Sequence, residues 1–294
     1  LFPYTTLFRS LKEIFEKENI PVEKLGEIQN SCDGIIVPVT ISNETYFFKF
    51  LPLTFEDRVE REIGIVELLR KEDIKVPSYY QKNKQVLFKT EDQIFYASKK
   101  APGKKVDQQV TKPLLEDIMR NIARMHKVLK EIPVKDKKES DLDRFKKFYK
   151  KEKDFFEEQG LSSYIENILD RNYDEEEYSY IHADINFRNI FEQDDKVTSF
   201  IDFTDLRVGY LEDDLGKLFQ NILYLDLSEQ EIQELIKIYE EELGQRVNQR
   251  NLLVSIVFRI LYRYYCFVKN NEGDIKEYKG QTEKILQKIT GRRN

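Results

Sequence analysis

The residues with the clearest chemical potential lie in one stretch, 180–205, which reads YIHADINFRNIFEQDDKVTSFIDFTD. It holds His182-x-Asp184-x4-Asn189 and then Asp202 within IDFTD. Ile190-Phe191 and 197–201 read as two apolar strands, and Asp194-Asp195-Lys196 turns the chain between them. In an antiparallel hairpin the start of the first strand lies beside the end of the second. Asn189 and Asp202 therefore emerge at the same open end, with Asp184 on the loop leading into it and His182 near enough to brace that loop. Two carboxylates and an amide oxygen at one edge are hard ligands of the kind that suit Mg²⁺, which keeps several waters and takes one or two protein carboxylates plus substrate phosphates. A remaining carboxylate can orient a hydroxyl and accept its proton. The plain alternative is an acidic hairpin with solvated charges. A lone HxD would not decide between them; the whole series, HxDxxxxN, hairpin, apolar-Asp-Phe-x-Asp, favours phosphate chemistry.

That series resembles the aminoglycoside phosphotransferase and choline kinase-like family, relatives of the protein kinases, whose pattern is H-G-D-x-x-x-x-N followed by I-D-x-x-D a short hairpin later. Here it reads HADINFRN and IDFTD. The resemblance implies that Asp184 is the catalytic base, that His182 orders the catalytic loop, and that Asn189 and Asp202 hold Mg²⁺, with ATP or GTP as co-substrate. It implies an α+β, bilobal protein-kinase-like fold with a small antiparallel-sheet N-lobe and a larger, mainly helical C-lobe. Ala183 stands where the family usually has Gly, and Arg188 where it tolerates variety.

A kinase lobe also needs a strand lysine paired with a helix glutamate. Lys49 sits in YFFKFL, where alternation puts Phe47, Lys49 and Leu51 on one face and Tyr46, Phe48 and Phe50 on the other. A half-buried ammonium between apolar neighbours requires a partner. In the following helix Glu62 shares its face with Ile65, Val66 and Leu69, whereas Glu60 shares the polar side with Glu67; Glu62 is the inward carboxylate. A snorkelling lysine and a boundary glutamate are the alternative reading of each alone. The turn Asn30-Ser31-Cys32-Asp33-Gly34 would, by resemblance, cover the nucleotide phosphates through backbone N–H groups and Ser31. Cys32 would make nucleotide binding sensitive to thiol reagents. Residues 98–101, with Ser98 and Ala101, would form the hinge that reads adenine, and Phe191 and Ile201 would pack beneath the base. His126 reads as a satisfied core or boundary histidine, and Tyr262, Tyr264, Tyr265 and Phe267 as core rather than a substrate platform.

Helical periodicity is expected at 11–19, 55–72, 112–131, 141–159, 161–172, 214–225, 228–243, 248–269 and 274–289. Ser228 with Glu231 forms a capping box. Strands are expected at 24–29, 35–41, 46–51, 85–89 and 94–98, with a turn at 42–45 and a β-rich interruption at 178–203. The Lys/Glu-rich stretch 134–159 reads as a solvated helical insertion. The organisation is then an N-terminal nucleotide-binding lobe at 11–97, a hinge at 98–103, where Pro102-Gly103 breaks the chain, and a helical catalytic and acceptor-binding lobe at 104–294. Residue 1 is Leu, and LFPYTTLFRS lacks a basic n-region with an apolar core. Residues 1–10 look like translated adapter sequence, a non-native leader, with the natural start lying elsewhere.

Composition narrows the classes further. The chain has 294 residues, with 48 Lys plus Arg against 54 Asp plus Glu, for a net charge of −6. That balance argues against a nucleic-acid partner. Two cysteines, Cys32 and Cys266, make no disulfide framework or zinc cluster, and two histidines leave no room for multi-histidine metal chemistry. No apolar run is expected to reach the roughly 18 residues of a membrane span, and a cytoplasmic enzyme is expected. A metal-dependent hydrolase would lack further ligands and would leave Lys49 and Glu62 without a purpose. A protein kinase would carry DFG where this chain has Asp202-Phe203-Thr204. The leading expectation is a small-molecule O-kinase acting on an aminoglycoside-like or other cationic metabolite, drawn by Asp205, Glu212, Asp213, Asp214 and the acidic run 174–177. Homoserine, choline or sugar acceptors, or a non-catalytic nucleotide-binding protein, are the alternatives.

Overall fold

The structure is a computed structural model. It describes residues 4–290 apart from Cys32, Gln108, 170–176 and Asp226, with side chains from Leu11 onward. Cys32, the acidic residues 174–176 and the end of the helix expected at 161–172 therefore lie outside the described residues. The chain divides into two compact units, Leu1–Lys71 with Val76–Pro102, and Glu72–Lys75 with Gly103–Asn294.

The first unit is built on an antiparallel sheet. Among the described residues its strands run in the order Lys24–Leu25, Ile35–Ile41, Glu44–Pro52, Gln93–Lys99, Phe88–Lys89, with Gln29–Asn30 also on Ile35–Ile41. The single strand expected at 24–29 is thus two short ones: Leu25 faces Val39 and Gln29 faces Ile36, so this side carries one extra residue and bulges. The turn between the two long strands places Ser42 and Asn43 both at positive φ, the geometry that matches strand twist in a two-residue hairpin loop. The strand expected at 85–89 shrinks to Phe88–Lys89, because Asn83 and Lys84 take left-handed conformations and Lys82 turns back onto Gln85. Gly34 matters at one close approach: a Cβ there would lie 2.0 Å from the Phe50 carbonyl oxygen.

Alternation along Glu44–Pro52 buries Phe48 and Phe50 in a core with Leu11, Phe15, Phe88 and Phe95. Phe15 meets the rings of Phe48, Phe50 and Phe95 edge-on at 5.0–6.4 Å, the arrangement ring quadrupoles favour. Its helix, Tyr4–Lys17, begins earlier than the periodicity at 11–19 suggests; no glycine or proline interrupts residues 4–10. Helix Glu56–Lys71 buries Val59, Glu62, Ile65, Val66 and Leu69, one stripe as the spacing predicts.

The second unit is mainly helical: Lys112–Lys130, Asp141–Glu158, Ser162–Leu169, Leu211–Ile222, Glu229–Leu243, Gln249–Asn270 and Ile275–Thr290. The Ser228/Glu231 capping box is present. The helix expected from 214 starts at Leu211, where the Asp213 carboxylate accepts the Tyr210 N–H. Asp141–Glu158 is not a merely solvated insertion, since it buries Phe145, Tyr149, Phe156 and Asp141. The Asp141 carboxylate takes Arg259 Nε and Nη2 at 2.8 and 3.0 Å, Arg207 Nη2 at 2.9 Å and the Ser255 hydroxyl at 2.7 Å. Arg207 also reaches Asp213 at 3.3 Å. These bonds tie residues from three distant segments into one buried network.

Gln249–Asn270 is, contrary to the sequence expectation, long and apolar enough to cross a membrane by length and composition, but 61% of its apolar window is buried within the structure. It carries the buried Arg259 and packs on Leu211–Ile222 so closely that a Cβ on Gly216 would fall 2.0 Å from Ser255 Oγ. Of its four aromatics read as core, Tyr264 is fully buried, Tyr265 and Phe267 are half-buried, and Tyr262 is exposed.

Candidate active site

The hairpin forms from Ile190–Gln193 and Lys196–Phe200, turned by Asp194 and Asp195, both at positive φ. Ile190 faces Phe200, and beyond that pair the Ile201 N–H donates to the Asn189 carbonyl at 2.9 Å. Asn189 and Asp202 are thus neighbours at the hairpin mouth. Asp202 is exposed, holds a left-handed conformation at φ 63°, and accepts the Thr204 hydroxyl at 2.6 Å.

Asp184 stands on the loop ahead. Asn189 Nδ2 donates to its carbonyl at 3.0 Å and to its Oδ2 at 2.7 Å. Both targets are acceptors only, which fixes the amide with nitrogen toward Asp184 and oxygen turned away. The other carboxylate oxygen, Oδ1, meets Lys217 Nζ at 3.0 Å. The Asp184 side chain is 26% exposed, so a small molecule can reach it.

His182 is fully buried, its ring 4.3 Å from that of Phe203 and tilted 44° to it. Its Nε2 lies 3.0 Å from the Ile201 carbonyl, and its Nδ1 lies 3.3 Å from the Asp184 N–H. A carbonyl only accepts and an N–H only donates, so the pair of contacts calls for the ring hydrogen on Nε2. The imidazole thereby ties the loop at Asp184 to the strand end just before Asp202. Beneath the loop, Asp214 accepts the N–H groups of His182 and Ala183 at 2.9 and 2.6 Å, and His126 Nε2 lies 3.1 Å from the same carboxylate. His126 Nδ1 in turn meets the Tyr239 hydroxyl at 2.6 Å, a satisfied core histidine. Burial pushes the Asp214 carboxyl up, but the His126 hydrogen bond, the nearby imidazoles and the His182 N–H outweigh it and hold it below the usual carboxylate range. Ala183 sits at φ 66°, a conformation that suits the glycine of the family pattern better.

In the first unit, Lys49 is half-buried and faces Ile36 and Tyr96 in the ladder. Glu62, 5% exposed, accepts the Tyr79 hydroxyl at 3.2 Å and takes the Tyr96 hydroxyl at 3.1 Å on both oxygens. Tyr96 is thus the cross-strand neighbour of Lys49 and a direct partner of Glu62. Burial first, then the Glu62 charge, push the Tyr79 hydroxyl well above its ordinary value and keep it a donor. Ser31 spends its hydroxyl inside its own turn, donating to the Gly34 carbonyl at 3.0 Å and accepting the Gly34 N–H at 3.1 Å. Ser98 is still in the strand, opposite Phe47, and Ala101 is buried just beyond the strand end. Phe191 and Ile201 are half-buried on the hairpin of the second unit.

Of the acidic residues read as an attractor for cations, Asp205 and Glu177 are exposed, whereas the three on the helix face the interior. Glu212, Asp213 and Asp214 are buried. Glu212 accepts the Asn248 N–H, Asp213 takes Arg207 with the Asp141 and Tyr210 N–H groups, and Asp214 holds the loop. Sequence reasoning also passed over Tyr79, Tyr96, Lys217 and Asn221, whose Oδ1 accepts the Phe187 N–H at 3.1 Å. For the last two a signal existed: Asp214, Lys217 and Asn221 are spaced by three and four, one face of a helix.

Comparison with known proteins gives a family and a fold. The profile of the phosphotransferase enzyme family matches residues 37–248. No curated protein sequence matches. Among solved structures, an amicoumacin kinase in complex with AMP-PNP and Ca²⁺ aligns with TM-score 0.69 at 14% identity, covering 96% of each chain. An aminoglycoside phosphotransferase assigned in Ralstonia eutropha aligns with TM-score 0.70 at 17% identity, covering 98% of this chain and 99% of that one. A spectinomycin phosphotransferase in complex with ADP and spectinomycin aligns with TM-score 0.61 at 12% identity, over 96% and 97%. The chain has their protein-kinase-like α+β fold and, with the family profile matched over most of its length, belongs to the phosphotransferase enzyme family as a small-molecule phosphotransferase.

Proposed function

We propose that the protein transfers the γ-phosphoryl group of ATP or GTP, with Mg²⁺, to a hydroxyl of a small molecule, and that Asp184 is the base. The observation that carries this reading is the convergence at the hairpin mouth: Asp184 held by Asn189, and Asn189 bonded through its carbonyl to the residue before Asp202. The acceptor hydroxyl attacks the γ-phosphorus, its O–P bond forms as the bond to the leaving nucleoside diphosphate breaks, and its proton passes to the Asp184 carboxylate. His182, buried and bonded on both nitrogens, braces the loop.

Asn189 and Asp202 are the residues that would hold the metal. Among the described residues no group of three His, Cys, Asp or Glu gathers into a cage, and Mg²⁺ needs none, since water and phosphate complete its shell. The donor set fits: one carboxylate, and an amide whose nitrogen is spent on Asp184 and whose oxygen is therefore the end turned elsewhere. Bound there, the ion would neutralise charge on the phosphates. Lys49, backed by Glu62, is the proposed phosphate contact, Ser31 and its turn the proposed phosphate cover, and Ser98, Ala101, Phe191 and Ile201 the proposed surroundings of the base, with 98–103 as the hinge. The solved kinases of like fold hold nucleotide and antibiotic, which supports an aminoglycoside-like or other cationic acceptor.

Calorimetry of Mg·ATP tests the metal assignment: Asp202→Ala should lose metal-dependent nucleotide binding, and unchanged affinity and metal dependence would remove Asp202 from it. A matched panel of aminoglycosides, choline, homoserine and neutral sugars at low and high salt tests the acceptor. Turnover confined to neutral or anionic compounds would defeat the cationic class and leave the kinase reading standing.

A further inference from the structure

Helix Leu211–Ile222 meets the loop before the hairpin along a single stripe. Asp214 accepts the N–H groups of His182 and Ala183, Lys217 meets Asp184, and Asn221 accepts the N–H of Phe187. Helix positions 214, 217 and 221 thus address loop positions 182–183, 184 and 187 in order. The outer two contacts hold backbone. The middle one alone holds a side chain, and that side chain is the carboxylate argued to take the proton.

Lys217 and Asp184 lie 3.0 Å apart with side chains 23% and 26% exposed. The pair is half-buried, and an ion pair that still meets solvent adds modestly to stability; its place on a carboxylate already held by Asn189 suggests a second task for the lysine. The carboxylate geometry gives it a task. Asn189 grips Oδ2 at 2.7 Å, and a carboxylate held at one oxygen can still swing about that bond. A second grip on Oδ1 fixes the plane of the group, and with it the direction in which its free lone pairs face an incoming hydroxyl.

We propose that Lys217 is a positioning residue for phosphoryl transfer, which acts by fixing the Asp184 carboxylate against Asn189. The proposal rests on the reading of Asp184 as the base. Its test uses Mg·ATP with water as the acceptor, following phosphate release from radiolabelled ATP under single-turnover conditions and fitting maximal rate and half-saturation separately. Lys217→Met should lower the maximal rate about 10- to 100-fold, the range expected when a reacting group loses its alignment, with half-saturation by Mg·ATP and the melting temperature nearly unchanged. Lys217→Arg, which keeps the charge and reach, should recover most of the rate. In an Asp184→Asn background the further change Lys217→Met should cost nothing.

Three outcomes would overturn it. Lys217→Met could turn over like wild type while Asp184→Asn is inactive, which removes Lys217 and leaves the base in place. Lys217→Met could slow the Asp184→Asn enzyme by the same factor as the wild type, which means the lysine does not act through Asp184. Asp184→Asn could itself retain full turnover, in which case the base reading falls first and the proposal with it.

Discussion

Two aspartates thirty positions apart in sequence serve the same loop, one from a helix and one within the loop itself, and they differ in almost every respect. Asp214 is fully buried, and its carboxylate is taken by two backbone N–H groups and an imidazole. Asp184 is partly open, and its two oxygens are taken by two side-chain tips, an amide and an ammonium. Backbone and core donors make an anchor that cannot move without unfolding its surroundings. Side-chain donors hold a carboxylate in place while leaving lone pairs available to a substrate. The kind of donor, more than the carboxylate itself, separates the support from the proposed base.

Substitutions at the two positions should therefore fail differently. Asp184→Asn should cut transfer by about 10²–10⁴-fold while changing stability by less than about 1 kcal/mol; rates and denaturant melts on the same preparation check both halves. Asp214→Ala should show the reverse order of causes. Removing one member of a buried, bonded group costs about 3–5 kcal/mol, and here it strands two loop N–H groups and His126. Chemical denaturation should show that loss, with activity falling as a consequence. The same carboxyl sets a pH dependence whose sign is fixed. Its folded value is depressed, so its contribution is complete above the unfolded-state value of about 3.9 and drains away as pH falls through the lower folded value. In Asp214→Asn that acid-side decline should be shallower. Equal stability losses at both positions would erase the distinction.

The smallest expected effect lies between them. Ala183 holds φ 66°, where an L-residue pays about 1–2 kcal/mol, and its buried methyl is worth about 0.8 kcal/mol. Ala183→Gly should thus stabilise the protein by at most about 1 kcal/mol and leave the Asp184 rate intact. A clear loss of activity would mean that the methyl group, and not only the backbone, positions the loop.

The hairpin and the convergence at its mouth were legible in the sequence because they are local: the apolar runs, the Asp194-Asp195 turn and the 182–202 spacing lie within one short stretch. The inward face of Glu62 was legible because helix periodicity states it. What could not be read is which distant side chains complete these groups. Tyr79 and Tyr96 reach Glu62 only through the sheet register. The run Glu212-Asp213-Asp214 looks like a solvated acidic patch until Arg207, His126 and the loop N–H groups arrive from elsewhere. A charge run in sequence carries no mark of whether it faces water or partners, and here it faces partners.

The buried network around Asp141 has a kinetic consequence. Asp141 and Arg259 lie 118 positions apart, and Arg207 with Asp213 must join them. Isolated helices form within about a microsecond, whereas contacts so distant must first close long loops, a cost that grows with separation and slows folding. Asp213 belongs to that network and Asp214, its neighbour, carries the loop. Helical content should then return early during refolding, and phosphoryl transfer should recover only when the last of these distant segments has found its place.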